Sequence, residues 1–442
     1  MNLSEKQKLI SKSHYNLGKK YSDLGQFENA ELAYKRATEV NPNYFEAYNN
    51  IAIIQHKFGK LEQAEVSYKK VIELKPDYAI PYNNLGIVLK NLHRLKEAEL
   101  VYKKAIEIKS DFPEAYNNLG VMLNSLGRLE EAESNYNQAI KLKYDYSEAH
   151  YNLGSTLVEL RQLELAEQSY RKSISLNPNF ADVFWNMSSV EKTIKGSEYW
   201  VDECLKVDSN HEAAKYAKVA MRFYQGDRSY FDNLMKSEHE NNRYVRSLSW
   251  AFNLPDLPDL YFNRWYFFDA IIKKSIRSRP FYEFGVWRGD AFKYLIKYFK
   301  KGYGFDTFTG LPEDWYDSNG IVIQKSGSYS SDGVIPKIKG GKFIVGKFED
   351  TLPVFFSKRR NKASLINFDA DLFSSTLCAL NYSKPIIDKD TILIFDEFII
   401  NENWEQDEFK ALTEFCSINN LNYEVMAISF YTKQVAVKLI DI

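Results

Sequence analysis

The chain has 442 residues, of which 45% are hydrophobic and 26% are charged, and its formal net charge at pH 7 is -1. This length and composition suffice for two globular domains with buried cores. The net charge and the scattered lysines argue against a phosphate-tracking surface, so we expect no nucleic-acid partner. Its three cysteines provide neither a disulfide framework nor a zinc-binding spacing.

The N-terminal residues lack the apolar stretch of an export signal. No run approaches the roughly 18 apolar residues that a transmembrane helix needs. We therefore expect a cytoplasmic protein with no membrane partner.

The first half of the chain repeats with a period of 34 residues, which is the period of the tetratricopeptide repeat. The clearest apolar column is Leu17, Ile51, Leu85, Leu119, Leu153 and Met187. Two further columns, predicted to be core, are Ala30, Ala64, Ala98, Ala132 and Ala166, and Tyr34, Tyr68, Tyr102, Tyr136 and Tyr170.

These columns resemble tetratricopeptide repeats over about residues 11–206, as five clear repeats and a degenerate sixth. The resemblance implies an α-solenoid over residues 1–206 that binds an extended peptide or protein partner in its groove. Residues 207–260 lose the period and are predicted to be a helical connector.

Asparagine precedes the apolar position in every repeat, at Asn16, Asn50, Asn84, Asn118, Asn152 and Asn186. Such a column resembles the asparagine ladder of O-linked N-acetylglucosamine transferases. An asparagine amide can donate to and accept from a peptide backbone at once, so the column is predicted to bind the partner. The alternative is that these residues bond between neighbouring repeats or are simply consensus residues.

The second half carries four motifs in which an acid or a glycine follows an aromatic-rich run. They are FYEFGVWRGD at 281–290, GFDTFTGLP at 304–312, NFDADLFSST at 367–376 and FDEF at 395–398. Open parallel sheets bind ligands at the ends of such strands, so the pattern predicts a nucleotide-type cofactor site. The glycine loop is only G-x-x-x-G, which disfavours NAD, and no P-loop motif occurs.

The order of these motifs resembles class I S-adenosylmethionine-dependent methyltransferases. The GVWRG string resembles, within them, the macrocin O-methyltransferase (TylF-like) family over about residues 260–440. The resemblance implies a doubly wound, mostly parallel Rossmann-like α/β domain over residues 261–442. It also implies S-adenosylmethionine as cofactor and a hydroxylated small-molecule acceptor, and a homo-oligomer, since such enzymes are often dimers or larger.

Carried onto this sequence, the resemblance places the methionine end at Glu283, Gly285 and Gly289, the ribose at Asp306 and the adenine near Phe308, Phe348 and Glu349. The loop residues Trp287 and Arg288, and Thr307 beside the ribose acid, complete the predicted cofactor site.

The acids Asp369, Asp371, Asp396 and Glu397 have a metal interpretation, because Mg²⁺ prefers carboxylate oxygens and the family uses such acids in this way. Asp369 and Asp371 are the predicted catalytic residues, as metal ligands and as the base, because all six histidines precede this domain. The alternative is that strand-end acids cap neighbouring helices. Glu397 departs from the family, which usually has a second Asp there.

The segment from Glu313 to Lys342 has no clear period and is predicted to be a lid over the site, with a mobile linker as the alternative. The leading functional hypothesis is an O-methyltransferase acting on a sugar or other polyhydroxyl molecule, with repeats that recruit a partner. The alternatives are a repeat scaffold whose methyltransferase fold is inactive, and a protein methyltransferase.

Overall fold

The computed structural model describes residues 4–236, 241–316, 320–331 and 333–440. The chain divides into two compact units, Met1–Pro178 and Asn179–Ile442. The predicted boundaries at residues 206 and 260 stay predictions.

The first unit is built from successive helix pairs, each about one repeat long. Its helices are α1 (Glu5–Asp23), α2 (Phe27–Val40), α3 (Phe45–Lys57), α4 (Leu61–Leu74), α5 (Ala79–Asn91), α6 (Leu95–Ile108), α7 (Pro113–Ser125), α8 (Leu129–Leu142), α9 (Ser147–Glu159) and α10 (Leu163–Leu176).

The predicted alanine and tyrosine columns form the core of the first unit. Ala98 is fully buried and Tyr102 is 1% exposed, and the other members of both columns are buried to a similar degree. A Cβ atom on Gly86 would lie 2.5 Å from the Cε1 atom of the Tyr102 ring. Four of the five tyrosines therefore pack against a glycine on the facing helix, whereas the second repeat has Ala52 at that position. The prediction that both columns are core is confirmed.

The second unit combines helices with one large sheet. Its helices are α11 (Ala181–Val190), α12 (Ile194–Val207), α13 (Glu212–Tyr224), α14 (Ser229–Leu234), α15 (Arg243–Phe252), α16 (Arg264–Lys274), α17 (Asp290–Leu295), α18 (Phe348–Phe356), α19 (Phe373–Ser383) and α20 (Glu408–Asn419). Its strands are β1 (Asp259–Tyr261), β2 (Phe281–Phe284), β3 (Gly302–Asp306), β4 (Trp315–Tyr316), β5 (Val322–Gln324), β6 (Gly341–Val345), β7 (Leu365–Phe368), β8 (Ile392–Phe395), β9 (Asn422–Ser429) and β10 (Gln434–Ile440).

Eight strands form a mixed, mostly parallel sheet in the order β1-β9-β10-β8-β7-β2-β3-β6. The block β8-β7-β2-β3-β6 is parallel throughout, and β10 is antiparallel to both of its neighbours. Every residue of β2, β7 and β8 is buried. Strands that are buried along their whole length are typical of parallel sheets covered on both faces.

The predicted connector is folded into the second unit. The ring of Phe223 in α13 stacks on Phe252 in α15 with centroids 3.8 Å apart. Arg246 of α15 forms a 2.7 Å ion pair with Glu405, and the connector ends in β1, the edge strand of the sheet.

The helices of the predicted sixth repeat, α11 and α12, also belong to the second unit. The ring centroids of Trp185 and Tyr431 are 4.1 Å apart, and the hydroxyls of Ser188 and Tyr431 are 2.8 Å apart. Tyr431 lies in the turn between β9 and β10. The sixth repeat is thus joined to the sheet region by packing between half-buried aromatic rings.

Candidate functional site

The register of the parallel strands brings the predicted acids to one edge of the sheet. Phe305, Phe284, Phe368 and Phe395 pair in register across β3, β2, β7 and β8. Their ring centroids are 4.9, 5.4 and 4.9 Å apart along this row. The residues that follow them are Asp306, Gly285, Asp369 and Asp396. A hydrophobic floor therefore supports three carboxylates and a glycine.

An open cavity of about 250 Å³ lies above this floor. The predicted residues that line it are Gly285, Trp287, Asp306, Thr307, Phe348, Glu349, Asp369, Asp371, Asp396 and Glu397. The predicted residues that do not line it are Glu283, Arg288, Gly289 and Phe308. Arg264 and Lys347 also line it and lie in none of the four motifs, whereas Ser375 lies within the motif at 367–376 but was not predicted as a site residue.

Gly285 occupies the tightest point of the cavity wall. Its φ is +83°, and a Cβ atom there would lie 1.7 Å from the backbone oxygen of Asp369. The Asp369 N–H donates to the carbonyl of Phe284 at 2.8 Å. Only glycine fits this contact between the β2 and β7 loops.

Asp306 holds the glycine loop in place. Its Oδ2 accepts the backbone N–H groups of Val286 and Trp287, each at 2.7 Å, and its Oδ1 accepts the N–H of Phe308 at 2.6 Å. Both oxygens therefore already have partners within the chain. A carboxylate has about four acceptor sites, so about one stays open for a ligand.

The other predicted residues of the loops after β2 and β3 contact neighbouring parts of the chain. Gly289 has a φ of +76° and caps α17. The Arg288 guanidinium lies 4.2 Å from the centre of the Trp287 ring. The Thr307 hydroxyl donates to the carbonyl of Gly310 at 2.9 Å.

Glu283 is 1% exposed, and its Oε2 atom has no hydrogen-bond partner among the described residues. Burial raises its pKa well above the usual range, and the charge of Asp396 adds to this shift. An unpartnered buried carboxyl costs folding energy, so it is an unusual feature for a purely structural residue.

Asp369 and Asp371 lie side by side on the cavity wall. Burial raises both pKa values well above the usual range. The charge of Asp396 adds most to the shift of Asp369, and that of Glu397 adds most to the shift of Asp371. Both carboxyl groups therefore retain their protons to a higher pH than an ordinary aspartate does.

Asp396 and Glu397 have partners of their own. Asp396 accepts hydrogen bonds from Arg264 at 3.4 Å and from Gln434. Glu397 accepts the Asn401 amide at 2.6 Å and pairs with Lys433 at 3.6 Å. These contacts fit the alternative in which strand-end acids organise the surrounding chain.

The acids do not converge as metal ligands. Among the residues that the structure describes, no three His, Cys, Asp or Glu side chains are arranged to hold a metal ion. The metal interpretation of Asp369, Asp371, Asp396 and Glu397 stays a prediction.

The predicted lid folds back over the glycine loop, and its residues 317–319 and 332 lie outside the described chain. The backbone N–H groups of Ser331 and Gly333 donate to the Phe308 carbonyl at 3.2 and 2.8 Å. The rings of Tyr329 and Trp287 meet edge to face, with centroids 6.2 Å apart. Burial, followed by the charge of Asp371, raises the pKa of Tyr329 to about 12.

Four non-glycine residues around the site have left-handed backbone conformations. Their φ values are 47° for Trp287, 59° for Phe308, 59° for Tyr329 and 58° for Asp371. Such conformations cost roughly 1–3 kcal/mol each and cluster at functional sites. The sequence carries no signal for this strain.

The adenine-side prediction concerns the start of α18. Phe348 is buried and meets Phe284 edge to face at 5.6 Å, whereas the neighbouring Glu349 is exposed. Both line the cavity, so an apolar ring and a free carboxylate face the same space.

Two further acids near the site were missed because no motif contains them. Glu408 is fully buried, and its Oε2 accepts the N–H of Glu397 at 3.0 Å. Burial, with the charge of Glu397 adding to it, raises the pKa of Asp407 to about 7. The Asp407 Oδ2 atom has no hydrogen-bond partner in the described part of the chain.

The asparagine column of the repeats is partly engaged in contacts between repeats. Asn118 donates to Asn83 at 2.9 Å, and Asn152 donates to Asn117 at 3.0 Å. Asn84 accepts from Asn83 at 3.2 Å.

Of the other column members, Asn50 lies 3.4 Å from the Tyr15 hydroxyl, Asn16 is exposed, and Asn186 lies in the second unit. The amide nitrogens of Asn118 and Asn152 therefore bond between neighbouring repeats, as the alternative interpretation held. Binding of a partner through the side-chain oxygens of these two residues stays a prediction.

Comparison with known families identifies the repeats. Models described as "Tetratricopeptide repeat" match residues 11–44, 147–180, 33–66, 101–134 and 80–112, and a model described as "TPR repeat" matches residues 56–92 and 120–161. The N-terminal repeats are therefore tetratricopeptide repeats, a class of protein-interaction scaffold, as the period of 34 residues predicted.

Several solved structures are similar to part of the chain. PilF from Pseudomonas aeruginosa is 22% identical, covers 46% of this chain and 96% of its own, and has a TM-score of 0.42. YrrB, described as a TPR protein with an unusual peptide-binding site, is 24% identical over 42% of this chain and 97% of its own, with a TM-score of 0.35. MamA from Desulfovibrio magneticus RS-1 is 21% identical over 40% of this chain and 99% of its own, with a TM-score of 0.37.

No curated protein matches the chain. No helix among the described residues combines the length and apolar composition that crossing a bilayer requires.

Proposed function

We propose that the second unit is an S-adenosylmethionine-dependent O-methyltransferase with a doubly wound Rossmann-like fold. Its acceptor is a hydroxyl of a sugar or another polyhydroxyl small molecule, and the tetratricopeptide repeats recruit a protein partner. The motif resemblance to the macrocin O-methyltransferase (TylF-like) family supports this proposal, together with the geometry at one point of the sheet.

That point is the junction of β2 and β7. In chain order the parallel strands β2, β3, β6, β7 and β8 are arranged as 3-2-1-4-5, the order of doubly wound folds. The order reverses between β2 and β7, and ligands of such sheets bind outside the strand ends at this reversal. Gly285 and Asp369 meet there, and this is the observation that carries the proposal.

The charge of the cavity suits the cofactor. S-Adenosylmethionine supplies a methyl group on a positively charged sulfonium. Asp306 and Glu349 line the cavity and would stabilise that charge electrostatically.

The number of free hydrogen-bond acceptor sites on Asp306 limits how this residue can hold the ribose. Three backbone N–H groups occupy about three of its four acceptor sites, so Oδ1 can accept one ribose hydroxyl. The exposed carboxylate of Glu349 lines the same cavity and is available for the second hydroxyl. The proposal therefore divides between two acids the role that the resemblance gave to Asp306.

The proton of the acceptor hydroxyl would pass to Asp371. Its raised pKa makes it a stronger base than an ordinary aspartate, and its position on the cavity wall satisfies the requirement for reach. Tyr329 of the lid lies close enough for its pKa to respond to the charge of Asp371, so the lid would cover the base and exclude water. Metal ligation fits the residues poorly, since Asp396 and Glu397 are already bonded, and no step here uses a metal.

Equilibrium dialysis with radiolabelled S-adenosylmethionine tests the proposal on the full-length protein. The wild type should retain label, and Asp371→Asn should retain it while losing methyl transfer in a screen of sugar acceptors. Absence of bound label in the wild type would refute the proposal.

The second candidate is a repeat scaffold with an inactive methyltransferase fold. It is favoured by the bonds that Asp306 and Asp396 make within the chain. The cavity volume of about 250 Å³, which lies below the roughly 300–1,000 Å³ of most ligand pockets, also favours it. Under this candidate only the repeats bind a partner.

A further inference from the structure

The parallel strands begin at the edge of the sheet opposite the candidate site, and this edge is strongly basic. Four segments meet there, residues 273–279, 300–301, 357–362 and 384–390, and together they contain twelve Lys or Arg and two Asp. Cations that are scattered in the sequence thus gather at one edge, contrary to the expectation from the sequence.

Hydrogen bonds tie these segments together. The N–H of Ser364 donates to the carbonyl of Pro280 at 2.8 Å, the N–H of Ala363 donates to Ile386 at 2.8 Å, and the N–H of Phe281 donates to Lys301 at 3.1 Å. The Lys362 ammonium donates to the carbonyl of Ile387 at 2.8 Å. The basic edge is therefore one continuous, ordered surface.

An open cavity of about 530 Å³ lies in this edge. Its charged lining residues are Arg279, Lys358, Arg359, Arg360 and Lys362. Its volume falls within the roughly 300–1,000 Å³ of small-molecule sites. No acidic residue lines it, and of its five cations only Arg279 forms ion pairs among the described residues, with Asp388 and Asp390.

Two guanidinium groups of the cavity are held in place. Arg360 lies 3.8 Å from the centre of the Phe355 ring and donates to the Phe355 carbonyl at 3.0 Å. Arg279 makes two hydrogen bonds to Asp388, at 2.8 and 3.0 Å. Guanidinium groups fixed in this way lose little entropy on binding an oxyanion.

Lys358 and Arg359 are exposed and form no ion pair within the described part of the chain. Cations after a helix can act simply by stabilising its C-terminal carbonyls. Here Arg360 already donates to a carbonyl of the last turn of α18. Lys358 and Arg359 are therefore not needed to stabilise the C-terminal carbonyls of this helix.

The two edges of the sheet have opposite charge, with carboxylates at the strand ends and cations at the strand starts. An anion is therefore repelled from the acidic cavity and attracted to the basic one. We propose that the basic cavity is a second ligand site, which binds the phosphate groups of a small molecule or of a lipid headgroup.

Titration calorimetry of the full-length protein with inorganic pyrophosphate, in buffer without divalent metal, tests the site. The variant carries Lys358→Glu and Arg359→Glu. The control carries Lys300→Glu and Lys301→Glu, which changes the charge of the same edge equally but outside the cavity. We expect the variant to weaken pyrophosphate binding at least about tenfold and the control by less than about threefold.

A second arm measures sedimentation with vesicles that contain phosphatidylglycerol, and with phosphatidylcholine vesicles as the reference. Pyrophosphate binding assigns the site to a soluble phosphate compound. Binding only to phosphatidylglycerol vesicles, again lost in the Lys358→Glu, Arg359→Glu variant, assigns it to a lipid headgroup. Equal loss in the variant and the control, or no binding in either arm, overturns the proposal.

Discussion

Gly285 and Asp369 approach so closely that a Cβ atom on Gly285 would lie 1.7 Å from the Asp369 backbone oxygen. The contact joins the β2 and β7 loops at the reversal of strand order, where the sheet would bind its ligand. The geometry of the candidate site thus depends on a residue without a side chain.

Gly285→Ala should therefore destabilise the second unit and abolish cofactor binding. The matched control is Gly226→Ala, because Gly226 also has a positive φ, of +89°, but a Cβ atom there would meet nothing within 4 Å. Both variants carry the left-handed strain of roughly 1–2 kcal/mol, and only Gly285→Ala adds a clash with backbone. Equal losses in urea unfolding free energy would show that the contact is not rigid.

Asp407 should make stability depend on pH. Burial first, then the charge of Glu397, raises its folded-state pKa to about 7, against about 4 when unfolded. The folded state holds the proton more tightly, so Asp407 lowers the free energy of unfolding as pH rises from about 4 to 7. The gain in Tm of Asp407→Asn over wild type should be about 2–4 °C larger at pH 8 than at pH 5.

Asp227→Asn is the control of opposite sign. Its folded-state pKa is lowered, first by the hydrogen bond from the Ser229 hydroxyl, so its contribution to stability is present above its unfolded pKa and lost in acid. That variant should gain nothing over wild type at pH 8. A Tm difference for Asp407→Asn that does not change with pH would contradict the account.

The asparagine column allows binding and stability to be separated. Asn152 is partly exposed, whereas Asn117 is fully buried, and the two share one hydrogen bond of 3.0 Å. Removing either side chain loses that bond and about 1 kcal/mol of unfolding free energy, and Asn117→Ala also loses the 3.3 Å hydrogen bond that Asn117 donates to Glu148. Only Asn152→Ala should also weaken binding of a peptide selected from a phage-displayed library on the full-length protein, as measured by fluorescence anisotropy. If both variants bind the peptide as tightly as the wild type does, the asparagine column has a structural role and does not bind the partner.

Magnesium should have little effect on the cofactor. Since the carboxylates do not converge as ligands in the described part of the chain, S-adenosylmethionine affinity measured with Mg²⁺ and with EDTA should agree within about twofold. A large gain with Mg²⁺ would restore the metal interpretation of Asp369 and Asp371.

The sequence predicted the repeats well because their packing is local. A column such as Tyr102 recurs every 34 residues, and four of its five members meet a facing glycine within their own repeat, as Tyr102 meets Gly86. The strand-end motifs were equally visible, because buried parallel strands read as continuous apolar runs that end in an acid or a glycine.

The sequence could not predict which acids of the site already accept hydrogen bonds from other parts of the chain. The three backbone donors of Asp306 and the Arg264 contact of Asp396 depend on loop conformations and on residues far away in sequence. The gathering of cations at the strand starts was equally hidden, because it arises only when separate loops meet at one edge of the sheet.

The most direct test is titration calorimetry of the purified full-length protein with S-adenosylmethionine, using wild type, Asp306→Ala and Asp227→Ala. Asp227 is the control because it also accepts the N–H of a residue two positions on, Ser229 at 3.0 Å, but does not line the cavity. The account predicts a Kd on the order of micromolar that Asp306→Ala abolishes and Asp227→Ala preserves. No heat and no thermal shift with wild type would contradict it and leave the repeat scaffold as the function of the chain.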